Sequence, residues 1–262
     1  MTNEFKGGLI VGVENSDQAK IAEKVGARGV VVVVANANMD KTEIAFKATV
    51  TADTAVVRDV LSSVLVPVIG RIRLGHVIEA KVMEACHVDA IDEHEGLTQA
   101  ADEGIEKFSS NIPIIAGVEN LKESLKAILQ GASMLRTHFK LKEDRPQIEE
   151  TVKVLTKISD DIESLKGKTD AELTTFLGDI KYPLAGLKNI IKTKKFPVPL
   201  FAEGGIILPT DVAMVMGLNV DGCIASSLVF KVADPQRRIH SMIKAVQYYN
   251  EPTKLINYIE DS

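Results

Sequence analysis

The sequence contains no tryptophan, only 8 phenylalanines and 4 tyrosines, and just 2 cysteines in 262 residues. With so few aromatic rings there is no platform on which unpaired bases could stack. A net charge of −5 and a pI near 5.6 also argue against a general nucleic-acid binder, which holds phosphates with clustered Lys and Arg. The short basic run Lys192, Lys194 and Lys195 fits a solvated helix end. Cys86 and Cys223 lie in apolar surroundings and are too few for a disulfide framework, which points to a reducing compartment such as the cytoplasm. No apolar run approaches the roughly 18 residues needed to cross a membrane. The opening MTNEFKGG has neither the apolar core nor the cleavage pattern of a secretion signal. Small molecules or protein partners remain.

What is present is an ordinary globular composition, 45% hydrophobic and 26% charged, in a chain whose length fits one α/β barrel over residues 1–262. The organising stretch runs from Val66 to Thr98. Val66 to Ile72 reads as a strand opened by Pro67, and Gly75 and His76 turn into a helix with Val77, Ile78, Val82 and Ala85 on one face. Val88 to Ile91 then forms a strand leading into Asp92 and Glu93. Arg71 and Asp92 thus stand at the C-terminal ends of neighbouring strands, where parallel barrels place their chemistry. The plainer alternative is a structural ion pair at a barrel mouth.

The other strands follow the same grammar. Gly7 to Val13, the five valines Val30 to Val34, Pro113 to Val118, Ala132 to Thr137, Val198 to Ala202 and Gly222 to Ala225 are short apolar runs suited to burial on both faces. Helices are expected after Ser16, over Ala52 to Val64, Thr98 to Phe108 and Leu121 to Leu129, after Pro209, and over Asp234 to Tyr249. Ala35 to Thr51 reads as an extended loop. Phe139 to Phe196 repeats apolar residues at helical spacing (Ile148, Val152, Leu155, Ile158, Ile162, Leu165) and is a helical insertion after strand six. Eight strands interleaved with helices give a (β/α)8 TIM barrel.

Several stretches together carry a resemblance: KGGLIVGVENSDQAKIAEKVGA, VPVIGRIRLGHVIEAKVMEACHVDAIDE, QGASMLRT, FAEGGIILPTDVAMVMGLNVDG and AVQYYNEPTKL. In order and spacing they resemble the synthase subunit of glutamine-dependent pyridoxal 5'-phosphate synthase, the PdxS/SNZ family. The resemblance implies a barrel that assembles as two stacked hexameric rings, a dodecamer, and takes ammonia from a glutaminase partner. It also implies condensation of that ammonia with phosphorylated sugars through two lysine imines. The coenzyme is then a product, and no cofactor or metal is expected.

The chain departs from that pattern at the reactive positions. The first family lysine falls on Arg71, whose guanidinium stays protonated and has no amine lone pair for an imine. The second falls on His138, after Arg136 and Thr137; imidazole can move protons but forms no stable carbonyl imine. A family aspartate at the end of strand one falls on Gly12, and only the strand-four aspartate remains, as Asp92. The glycine-rich phosphate loop after strand six reads FKLKEDRP. Residual phosphate contacts are expected from Asp92, Arg136, Gly204, Gly205 and Ser227. The family's additional N-terminal helix and C-terminal tail have no counterpart, which weakens the expectation of glutaminase docking.

The leading expectation is a pseudoenzyme that keeps the barrel and ring surfaces, alone or mixed with an active relative, and supports vitamin B6 biosynthesis. The alternative is an active enzyme with relocated chemistry. Lys140, two residues beyond His138, would replace the missing amine, or Asp92 and His138 would act as base and acid on a phosphorylated sugar. A metal site draws no support from spacing, because His76, His87, His94, His138 and His240 are dispersed.

Overall fold

Eight short apolar strands pair side by side, all parallel and in chain order, until the last closes on the first. They are β1 (Gly8–Val13), β2 (Gly29–Val32), β3 (Val68–Arg73), β4 (Ala90–His94), β5 (Ile114–Val118), β6 (Met134–Thr137), β7 (Leu200–Glu203) and β8 (Gly222–Ala225). This is the expected (β/α)8 barrel. The computed structural model describes residues 2–34, 51–95, 105, 110–138 and 148–259. The loop expected at Ala35 to Thr51 and the helix expected at Thr98 to Phe108 lie largely outside the described residues.

Each strand is covered on both sides, which is why it begins in apolar residues, with charge confined to the C-terminal halves of β3, β4, β6 and β7. Outward-facing side chains pack under the helices. Inward-facing ones form a second cluster inside the barrel: Ile10, Val31, Ile69, Ala90, Ile115, Met134, Phe201 and Ile224, with Phe5. Phe5 belongs to a 3-10 turn (Thr2–Phe5) ahead of β1 and is fully buried. A Cβ added at Gly29 would sit 2.8 Å from the Phe5 ring, so the glycine makes its seat.

Among the described helices, α1 (Ser16–Lys24) is capped by Asn15, one residue before the expected Ser16, with the Asn15 side chain accepting from Gln18 N. Then come α2 (Thr54–Ser63), α3 (Val77–Cys86) and α4 (Leu121–Leu129). The insertion after β6 is helical, as its spacing predicts: α5 (Ile148–Ser164), α6 (Asp170–Leu177) and α7 (Leu184–Thr193). The chain continues with α8 (Pro209–Met216), α9 (Pro235–Tyr248) and α10 (Pro252–Ile259), the last of which the sequence reading missed. None of these helices is long and apolar enough to cross a membrane.

Two expectations need correction. Strand four starts and ends later than Val88 to Ile91, so Asp92 and Glu93 are inside β4 and buried rather than beyond its end. The face of α3 that carries Val77, Ile78, Val82 and Ala85 is turned to solvent, while Ala80, Met83 and Cys86 pack inward. Cys86 and Cys223 are both buried free thiols.

Candidate functional site

Strand periodicity builds the site. Ile69, Ala90, Met134 and Phe201 point into the barrel, so the residues two further on, Arg71, Asp92, Arg136 and Glu203, project to the same side one layer higher. Four charged side chains therefore roof an apolar interior. Asp92 gives one carboxylate oxygen to each arginine: Oδ2 accepts from Arg71 Nε and Oδ1 from Arg136 Nε, both at 2.7 Å. Arg71 Nη2 also donates to Glu203 Oε1 at 2.6 Å, and Arg136 Nη2 to Glu95 Oε2 at 2.7 Å and the Glu93 carbonyl at 3.0 Å. Glu203 Oε2 lies 3.1 Å from Arg136 Nε but outside hydrogen-bonding alignment.

Burial sets the electrostatics. Removal from water by itself opposes ionisation of Asp92, but the guanidiniums of Arg136 and Arg71 more than offset this and hold its carboxyl below the usual range. Burial likewise opposes the charge on Arg71, and Glu203 and Asp92 outweigh it. For His94, further along β4, the balance runs the other way. Burial and the neighbouring positive charges of Arg71 and Arg136 push it well below its ordinary value, so it is neutral. His138 sits 3.7 Å from Glu95 and 3.6 Å from Glu119; burial still lowers its pKa, with those carboxylates opposing.

Above this layer lies a cavity of about 240 Å³. One wall is Arg71, His94, Arg136, Thr137, His138 and Glu203; the other is Gly12, Gly204, Gly205, Ser226 and Ser227. Gly204 (φ 111°) and Gly205 (φ 69°) have left-handed backbone, the shape that lets successive amides form an anion-binding concavity. Gly12 keeps β1 close to the loop after β8, since a Cβ there would lie 3.0 Å from Ser227 N. The Ser227 hydroxyl donates to Glu14 Oε1 at 2.9 Å.

The fold thus brings Gly12, Arg71, Arg136, His138, Gly204, Gly205 and Ser227 around one cavity. Asp92 is 1% exposed and lies beneath the arginines rather than on the wall. Lys140 falls outside the described residues. The sequence reading missed Glu203, Glu95 and Glu119 as partners of the site. The signal for Glu203 was available: it stands two residues beyond Phe201 at a strand end. Asp92, His94 and Glu203 bring ligand-type atoms within 4.8 Å of one another. Both carboxylates already hold guanidinium, however, and a divalent cation there would face two positive charges.

The sequence pattern of the SOR/SNZ family matches residues 1–203. The chain belongs to the SOR/SNZ family. Over 260 residues it is 34% identical to pyridoxal 5'-phosphate synthase subunit SNZ1 of Saccharomyces cerevisiae, covering 98% of this chain and 86% of that protein. It is 35% identical to pyridoxal 5'-phosphate synthase subunit PdxS of Thermotoga maritima, covering 98% and 87%. Among solved structures, thiamine phosphate pyrophosphorylase from Pyrococcus furiosus superposes with a TM-score of 0.56 at 15% identity over 95% of this chain and 98% of that one, a likeness of fold alone. Membership makes the homologues of this SOR/SNZ chain pyridoxal 5'-phosphate synthase subunits, and its barrel mouth the place to compare with theirs.

Proposed function

We propose that this chain is a pyridoxal 5'-phosphate synthase-like subunit that has lost imine chemistry and acts as a non-catalytic member of PdxS-type rings, supporting vitamin B6 biosynthesis by an active relative. The carrying observation is the cavity wall at the end of β3. Where the resemblance places the first imine lysine stands Arg71, held on two sides by Asp92 and Glu203. His138 stands at the second position, and no lysine lines the cavity among the described residues. Neither side chain supplies a neutral primary amine.

Two further features support the reading. The positive-φ glycines after β7, with Ser226 and Ser227 after β8, keep a backbone concavity suited to the phosphate of a small phosphorylated sugar. Val77, Ile78 and Val82 on α3 are 50%, 61% and 36% exposed, an apolar strip that an assembled ring would cover. The rings would be homomeric or mixed with a lysine-bearing relative. Free buried thiols suit a reducing compartment, and we place the protein in the cytoplasm.

The test is intact mass after incubation with ribose 5-phosphate and borohydride reduction. The expected result is an unchanged mass beside a lysine-bearing relative that gains the sugar. A stoichiometric adduct, on Lys140 or elsewhere, overturns the proposal and makes the chain a rewired synthase. Co-purification from the native source tests the assembly half, which fails if the protein forms no ring and binds no relative.

A further inference from the structure

We propose that Glu203 is a second barrier to imine chemistry at position 71, a positioning residue whose carboxylate would hold even a lysine restored there in its protonated form. The inference rests on the reading of Arg71 as the former imine position, and it adds a role for a residue on the opposite side of the barrel.

The geometry is specific. Glu203 Oε1 accepts from Arg71 Nη2 at 2.6 Å, while Asp92 Oδ2 accepts from Arg71 Nε at 2.7 Å. A lysine following the same side-chain path would put its Nζ where Arg71 carries Cζ, one covalent bond from both of those nitrogens. It would therefore sit between two carboxylates. An imine forms only when a neutral amine adds to the carbonyl carbon, the C=O bond opening to a hydroxyl; the resulting carbinolamine then loses that hydroxyl as water while nitrogen gives up its protons. An ammonium held between two anions has its lone pair occupied by a proton.

Glu203 is also fixed in place. Its N–H donates to Thr137 Oγ1 at 2.7 Å, and its carbonyl accepts from the hydroxyls of Thr137 and Thr151 at 2.7 and 2.8 Å. The carboxylate is thus presented from a clamped backbone. Asp92 cannot do the same work alone, because its other oxygen is committed to Arg136. The groups facing position 71 are Asp92 and His94 from β4, Arg136 from β6 and Glu203 from β7; Val31 of β2 and Val33 just beyond it, which also line the cavity, are apolar. Burial, Asp92 and Arg136 act equally on any pair of variants that differ only at residue 203. Comparing such a pair isolates Glu203.

The experiment compares Arg71→Lys with Arg71→Lys/Glu203→Gln and Arg71→Lys/Glu203→Ala. Each folded variant is treated with formaldehyde and cyanoborohydride across a range of pH, and methylation of the lysine introduced at position 71 is followed by peptide mass. Formaldehyde reports the neutral amine without needing sugar recognition. In the reaction an iminium forms with loss of water and accepts hydride from cyanoborohydride. The expected result is a pH midpoint for the introduced amine lower by about one unit in the double variants, with about tenfold faster labelling near neutral pH. Mere loosening of the site would change the rate at every pH and leave the midpoint in place. Coincident midpoints overturn the proposal.

If Arg71→Lys does not fold, Arg71→His and Arg71→His/Glu203→Gln, with the introduced imidazole followed by NMR across pH, give the same comparison. There the midpoint is expected to fall in the double variant, and equal midpoints overturn the proposal. These outcomes are independent of whether the wild-type chain takes up ribose 5-phosphate. A sugar adduct on the wild type would sink the proposed function, and an unmoved midpoint would sink only the role of Glu203.

Discussion

Arg71 on β3 and Glu203 on β7 meet at 2.6 Å although their strands stand on opposite sides of the eight-stranded ring. The pair bars the barrel mouth, and Asp92 ties it to Arg136. What the resemblance marks as a reactive corner is here a closed circuit of opposite charges over an apolar interior.

Breaking that circuit at its centre is expected to be costly. Asp92→Ala would strip a carboxylate from two arginines, one of them 1% exposed, and leave buried positive charge uncompensated. A loss of about 3–5 kcal/mol is expected, read as a lower denaturant midpoint. A loss under about 1 kcal/mol would mean that water or Glu203 takes over the role.

Acid should destabilise the protein well before carboxylates titrate. His94 has a folded-state pKa well below 6.5, so the unfolded chain binds a proton that the folded one refuses. That contribution is present above pH 6.5 and is lost as pH falls below it, at up to about 1.4 kcal/mol per pH unit. His138, also lowered, adds in the same direction. Asp92, with its folded pKa below 3.8, contributes a separate loss only under more acid conditions. Thermal melts from neutral to mildly acid pH should show a falling Tm in the wild type and a shallower slope in His94→Asn. Parallel slopes would exclude His94 as a source.

Assembly should be separable from stability. Ile78 and Val82 lie on the outward face of α3, so Ile78→Asp and Val82→Glu are expected to change monomer stability by no more than about 0.5 kcal/mol. If this face is a ring contact, native mass should fall in both variants. An unchanged mass would move the interface elsewhere.

The floor of the barrel gives a purely structural prediction. Phe5 is fully buried at the N-terminal end of the inner cluster, and Phe5→Ala is expected to cost about 3–5 kcal/mol. Gly29→Ala should cost about 1–3 kcal/mol, because its new methyl would meet the Phe5 ring at 2.8 Å. Chemical denaturation of both variants checks the pair. If Gly29→Ala is neutral, the ring has room to move and does not seal the floor.

The elements that could be read from the chain are those whose cause is local. The spacing of Leu121–Leu129 and of the insertion from Ile148 fixes helices by which residues recur every three or four positions. The valines of β2 and the apolar run of β8 declare strands covered on both faces. That neither Arg71 nor His138 can itself supply a neutral primary amine was equally legible, because a guanidinium and an imidazole carry their reactivity wherever they are placed. The second half of strand four was harder, since Asp92 and Glu93 look like loop residues until their partners are known.

Those partners are what the tertiary structure alone decided. Glu203 lies 132 positions from Arg71 in the chain, and only closure of the barrel brings them together. Asp92 sinks below the cavity because two arginines from different strands converge on it. The apolar face of α3 turns outward because Ala80, Met83 and Cys86 fill the space against the barrel instead. Local pattern sets the type of each element and the chemistry of each side chain; which charges meet, and which apolar face is left uncovered, follows from contacts between distant segments that no local pattern contains.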